Sequence, residues 1–270
     1  MMLHDTNAIV YGAGGSLGGA VARALAREGA TVFVTGRTLA TVERLAADIT
    51  ASGGKAEAAA VDALDTHAVD RYLNQLTRRG LSLDVSFDAI GLEDLQGTAL
   101  IDMELEDFMR PVRIAMQTQF ITATAAARIM KEQRSGVILS LTATPGGIGY
   151  PHVGGFGPAC CAIESFSRNL ASEIGPFAVR VVNIRSAGSP DSRVFQEALA
   201  TKDGKAFFEK IKDDTMLKDL PATDDVANVA AFLASSLAAK ITGVTVDVTC
   251  GTTAALNYKV APIAFVQHDK

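Results

Sequence analysis

The sequence predicts a doubly wound α/β fold, one domain built on a seven-stranded parallel sheet. Three observations predict it. Apolar runs of strand length alternate with segments of helical periodicity along the 270 residues. A glycine-rich turn directly follows the first apolar run. No linker, charge run, internal repeat or low-complexity tract interrupts the alternation. Strands and helices alternating at these lengths imply right-handed βαβ crossovers, and hence parallel strands.

The first strand is the apolar run Asn7–Tyr11, and the helical pattern Ala20–Ala26 follows the turn. Ala30–Thr35 reads as a second strand ending at Gly36-Arg37-Thr38. Leu39, Val42, Leu45, Ala46 and Ile49 are spaced for one helix face, stopped by Ser52-Gly53-Gly54. Ala56–Val61 is a third strand closed by Asp62, residues 65–78 a helix, and Leu83–Ile90 a fourth strand. Residues 92–103 are irregular, and Pro111 is expected to divide a short helix from a long one carrying Met116, Phe120, Ala125 and Met130. Gly136–Leu141, Ala178–Ile184 and Val244–Val248 supply the last three strands. Between them lie a Gly/Pro-rich loop at 143–155, a helix at 159–174 and a polar helical excursion at 191–213. Thr223-Asp224-Asp225 reads as an N-cap with acidic first-turn residues. The apolar run Val260–Val266 is expected to be tied down against a surface, a neighbouring subunit's for example.

Composition narrows the function classes. A hydrophobic content of 48% with 20% charged residues is that of a globular chain with a large core. The net charge of −5 argues against a nucleic-acid or anionic-membrane partner. Cys160 and Cys161 are adjacent and Cys250 is distant, which fits a reducing compartment better than a disulfide framework. His4, His67, His152 and His268 are scattered, so no metal site is expected. Met1-Met2-Leu3-His4-Asp5 lacks the basic and apolar regions of a signal peptide, and no apolar run reaches the ~20 residues of a membrane span. A cytoplasmic protein is expected.

The chemistry-bearing stretch is Gly12-Ala13-Gly14-Gly15-Ser16-Leu17-Gly18, between first strand and first helix. There, backbone N–H groups and the positive helix end can face a phosphate, and absent side chains admit a pyrophosphate. A flexible tight turn is the plainer alternative. The end of the second strand meets an adenosine ribose in such folds, where an acid accepts from the 2′-OH and an Arg accommodates a 2′-phosphate. Here Arg37 and Thr38 stand in that place with no acid, which favours NADP over NAD. Arg37 is otherwise an ordinary solvated helix-start residue. Asp62 can accept from an adenine amino group or simply close its turn, with Ala63 beside it.

In this order the segments resemble the short-chain dehydrogenase/reductase family, over nearly the whole chain. The glycine turn is similar to that family's T-G-x-x-x-G-x-G, and Val61-Asp62 lies where its adenine-binding Asp lies. Asp88-Ala89-Ile90-Gly91 stands in place of N-N-A-G, and Ala187-Gly188 resembles its P-G. Asp224-Asp225-Val226-Ala227, Phe232-Leu233-Ala234-Ser235 and Ile241-Thr242-Gly243 resemble its C-terminal signature. The resemblance implies a Rossmann-type fold, with a cofactor half at about 1–150 and substrate-side loops and C-terminal half at about 143–270. It also implies cofactor contacts at Ala89, Ile90, Gly91 and Gly188, and a homo-oligomer, dimer or tetramer.

The same resemblance implies an Asn-Ser-Tyr-Lys tetrad for carbonyl and alcohol redox chemistry, and its positions fall on Ala115, Ala143, Phe156 and Cys160. No Lys occurs between Lys131 and Lys202, so no shift of register restores one. Three functions remain open. One is an oxidoreductase-like NADP(H) protein with non-standard chemistry. The second is an inactive pseudo-enzyme that senses NADP(H) or serves as a scaffold. The third is a non-redox cyclase, dehydratase or isomerase. His152 in the 143–155 loop can act as acid or base near neutrality, although a lone loop His is more often a surface residue. Tyr150 is read as loop packing, and Cys160 and Cys161 as small apolar helix residues unless a positive, accessible setting activates them.

Overall fold

The computed structural model describes residues 1–254. The apolar run 260–266 lies outside them. In chain order, the first half holds β1 (Asn7–Tyr11), α1 (Ser16–Arg27), β2 (Thr31–Gly36), α2 (Leu39–Ala51), β3 (Lys55–Ala60), α3 (Thr66–Arg78), β4 (Val85–Asp88) and α4 (Leu105–Gln133). The second half holds β5 (Gly136–Ala143), α5 (Phe156–Ile174), β6 (Val179–Ser186), α6 (Arg193–Leu199), α7 (Lys202–Asp213), α8 (Thr223–Ala234) and β7 (Thr245–Val248).

All seven strands pair in parallel in the order β3-β2-β1-β4-β5-β6-β7. Successive β1 side chains enter opposite cores: Ala8 and Val10 pack beneath α1, α2 and α8, while Ile9 and Tyr11 pack beneath α3 and α4. Burial on both faces explains why the central strands read as unbroken apolar runs. The chain leaves β1 for β2 on one side and later returns to β4 on the other, so the strand order reverses between β1 and β4. In open α/β sheets, ligands bind outside the carboxyl ends of the strands at such a reversal.

Two expectations, at Pro111 and Thr223, are corrected, and one is refined. Pro111 does not divide the helix; α4 is continuous through it. A proline in the second turn removes one i→i−4 bond, and its buried ring packs where α5 begins. Gly155 comes so close that a Cβ there would sit 1.8 Å from the Phe108 carbonyl oxygen and 3.0 Å from Pro111 Cγ. The polar excursion at 191–213 is two helices, α6 and α7, with Thr201 Oγ1 capping the second at the Gly204 N–H. Thr223 opens α8 without capping it. Its N–H and hydroxyl donate to Asp191, and Asp225 accepts from the Ala222 N–H.

Candidate functional site

The strand reversal opens a cleft of about 710 Å³. The glycine turn forms its floor. Gly12 takes a left-handed φ of +71°, and a Cβ there would lie 2.5 Å from the Ala89 carbonyl oxygen. At Gly18 a Cβ would lie 2.5 Å from the Gly12 carbonyl oxygen. Both positions therefore require glycine for the close approach of β1, β4 and α1. Gly14, Gly15, Ser16 and Leu17 also line the cleft. The N–H groups of Gly14, Ser16, Leu17 and Gly18 find no backbone carbonyl among the described residues, which leaves them directed as a helix N-terminus directs them. The Ser16 hydroxyl accepts from the Arg193 N–H at 3.0 Å, so the segment entering α6 rests on the turn.

Arg37 and Thr38 at the end of β2, and Asp62 and Ala63 after β3, line one end of the cleft. Asp62 Oδ1 accepts from the Leu64 N–H at 3.0 Å, closing its own turn. The Arg37 guanidinium reaches across to Glu93, 3.3 Å away, in the segment after β4. Ala89, Ile90 and Gly91 cross the middle of the cleft. Behind them Asp88 is buried, accepting from the Ile90 N–H at 2.9 Å, and burial pushes its carboxyl up to about 6. The nearby Tyr11 hydroxyl is buried with no partner among the described residues, and burial drives its pKa upward.

The far end is formed by Ile114, Thr118, Thr142, Ala143, Phe156 and Cys160. Ala115 is buried off the cleft among Leu92, Ala159 and Ile163. Cys160 is 1% exposed, and burial pushes its thiol up to about 12, so it stays protonated. Thr142 is already engaged: its hydroxyl donates to Glu164 Oε1 at 3.0 Å and accepts from Asn183 Nδ2 at 2.7 Å. Glu164 in turn receives Arg185 Nε at 3.0 Å and Nη2 at 2.7 Å, while Arg185 Nη1 meets Asp247 at 3.1 Å. This ion cluster ties α5, β6 and β7 together beneath the 144–155 loop.

The structure thus brings Gly12, Gly14 through Gly18, Arg37, Thr38, Asp62, Ala63 and Ala89 through Gly91 to one cleft. Other singled-out residues stand apart. Gly188 is not on the wall; the Phe195 ring lies where its Cβ would be. His152 is exposed at a φ of +59° and is not among the lining residues, because its turn faces Gly97, whose N–H donates to the His152 carbonyl at 2.8 Å. Tyr150 is likewise off the wall, and exposed Cys161 has Sγ 3.7 Å from the Gly146 carbonyl oxygen. Sequence reasoning missed Glu93, Asp94, Thr118, Arg193 and Phe195, all lining. Two adjacent acids one residue beyond Gly91, past Leu92, were the available signal for the first pair.

Among the described residues, no group of His, Cys, Asp and Glu is placed to hold a metal ion. No helix among them is long and apolar enough to cross a membrane. Residues 12–253 match the family model described as enoyl-(acyl carrier protein) reductase. The chain is 30% identical to L-rhamnose 1-dehydrogenase (NAD(P)(+)) of Azotobacter vinelandii over 251 residues, 90% of this chain and 94% of that protein. Levodione reductase superposes with a TM-score of 0.87 at 24% identity, covering 94% of this chain and all 100% of the other. A gluconate 5-dehydrogenase from Burkholderia cenocepacia, solved with NADP and tartrate, gives 0.86 at 20% identity over 94% and 97% of the two chains.

Proposed function

This chain belongs to the short-chain dehydrogenase/reductase family, and on that premise we propose that it binds NADP(H) in the cleft but lacks the family's means of moving a proton. The observation that carries the proposal is the far end of the cleft. Where a hydroxyl, a phenol and an ammonium are expected, Ala143, Phe156 and a buried thiol at Cys160 stand. Phe156 has no proton to give, and Cys160 offers no positive charge. The described lining contains no Tyr, His or Lys at all.

The residues present fit a dinucleotide. The unpartnered N–H groups of Gly14, Ser16, Leu17 and Gly18 suit a pyrophosphate, Arg37 suits a 2′-phosphate, and Asp62 and Ala63 flank an adenine. Ala89, Ile90 and Gly91 give the ribose beyond it a floor without bulky side chains. A bound nicotinamide supplies or accepts hydride. The protein's own contribution is binding, orientation and exclusion of water by Phe156, Ile114 and Phe195. Loss of a positioned acid lowers a rate by roughly 10²–10⁴, so any redox turnover takes a non-standard route. A pseudo-enzyme that senses NADP(H) or serves as a scaffold is the second reading, favoured by that same lining without Tyr, His or Lys. We also infer a homo-oligomer, dimer or tetramer, supported by the exposed apolar Phe120 ring on α4.

The test is NADPH absorbance with a panel of carbonyl substrates, comparing the natural chain with Ala115→Asn/Ala143→Ser/Phe156→Tyr/Cys160→Lys. The proposal expects turnover to rise by at least ~100-fold in the substituted chain. Family-level turnover by the natural chain, abolished by none of these changes, would overturn it.

A further inference from the structure

The Arg37–Glu93 pair has a property that the sequence around β2 does not show. Arg37 directly follows β2 and Glu93 follows β4, so the pair bridges two walls of the cleft at its ribose end. Glu93 takes a left-handed φ of +54°, a conformation disfavoured for a residue with a Cβ, to stand there. Its Oε1 lies 3.3 Å from Arg37 Nη2, and the two side chains keep 53% and 67% of their exposure, so both remain accessible to a ligand. Among the described residues Arg37 has no other carboxylate partner. A ribose reaching Arg37 therefore also meets an acid, although none follows Arg37 in the sequence at the end of β2.

We infer that Glu93 supplies, from the opposite wall, the acid absent at the end of β2, and that the Arg37–Glu93 pair serves both forms of the cofactor. With NADH, Glu93 accepts from the ribose 2′-OH while Arg37 stays paired to it. With NADPH, the 2′-phosphate takes Arg37 from Glu93, and the displaced carboxylate opposes the phosphate charge. Glu93 is thus a specificity-determining residue that holds down the preference for NADPH that Arg37 alone confers. The inference rests on the dinucleotide reading above.

Two probes that differ in the 2′-phosphate alone, 5′-AMP and 2′,5′-ADP, test it by calorimetric titration of the natural chain and Glu93→Gln, with NADH and NADPH alongside. An exposed ion pair contributes up to ~1 kcal/mol, about fivefold in affinity, and charge repulsion adds to it. Glu93→Gln is therefore expected to raise the preference for 2′,5′-ADP over 5′-AMP about fivefold, by tightening the first and weakening the second. A preference unchanged within twofold, or shifted toward 5′-AMP, would overturn the inference and leave the dinucleotide site standing. Failure of the natural chain to bind any of the four nucleotides would overturn both. Glu93 is solvent-facing, and unchanged thermal melting of the variant confirms that the comparison is between folded proteins.

Discussion

The Thr122 hydroxyl lies 3.0 Å from Asp88 Oδ2 and 2.8 Å from the Thr118 carbonyl oxygen, so its single proton faces two acceptors. A protonated Asp88 resolves the conflict by donating to Thr122, which then donates to Thr118. Burial outweighs the Ile90 and Thr122 hydrogen bonds, which favour the carboxylate, and pushes the carboxyl up to about 6.

The sign of the pH effect follows. Unfolded, Asp88 titrates near ~3.9. Between about pH 4 and pH 6 the folded chain keeps a proton that the unfolded chain has released. Stability from this group is complete below pH 4 and is lost as pH rises through 6, by about 3 kcal/mol. An amide can donate to Thr122 and accept from the Ile90 N–H without carrying charge. Asp88→Asn should therefore be more stable than the natural chain at pH 8, with the gap closing toward pH 4. Urea unfolding across that range reads it, and a gap that widens at acid pH would contradict the assignment.

Glu164 and Arg185 are side chains only 7% and 15% exposed. Removing one partner of a buried pair strands the other charge, at a cost of roughly 3–5 kcal/mol. Asp247 remains to Arg185, so Glu164→Gln is expected near the lower end, about 3 kcal/mol. Arg185→Met should cost a similar amount, and the double variant clearly less than the sum. Additive losses in chemical unfolding would mean that the pair is not coupled.

Gly12→Ala places a Cβ against the Ala89 carbonyl oxygen at a φ of +71°. The strain should lower stability by about 1–3 kcal/mol and deform the floor of the cleft. Unfolding and nucleotide titration on the same preparation should both register it. A variant with natural stability and affinity would show that the turn does not need its observed shape.

Arg37→Ala should weaken NADPH by about tenfold and leave NADH within about twofold, since a phosphate contact is worth roughly 1.5 kcal/mol when charge-assisted. Equal losses for both dinucleotides would refute a role at the 2′-phosphate.

Much of the fold was legible because local chemistry specified it. Runs such as Ala8-Ile9-Val10 and Val32-Phe33-Val34 are buried on both faces, and the glycines at 12 and 18 report contacts that no Cβ would permit. That Arg37, Asp62 and Ala89 line the cleft was readable for the same reason, since they sit just past strand ends. What escaped depends on tertiary contact. Pro111 reads as a helix break, yet packing against Gly155 holds one helix through it. Glu93 meets Arg37 across 56 residues, and Arg185 meets Glu164 and Asp247 across 21 and 62. No local pattern announces such pairs. His152 looked chemically apt, but its side chain belongs to an exposed turn rather than to the cleft wall.

A cleft that holds a nucleotide apart from the family's proton chemistry should still bind the dinucleotide. Calorimetric titration of the full chain with NADPH and NADH reads this. Saturable binding of NADPH, one per chain and tighter than NADH, is the predicted result. No heat and no thermal shift with either dinucleotide would contradict it.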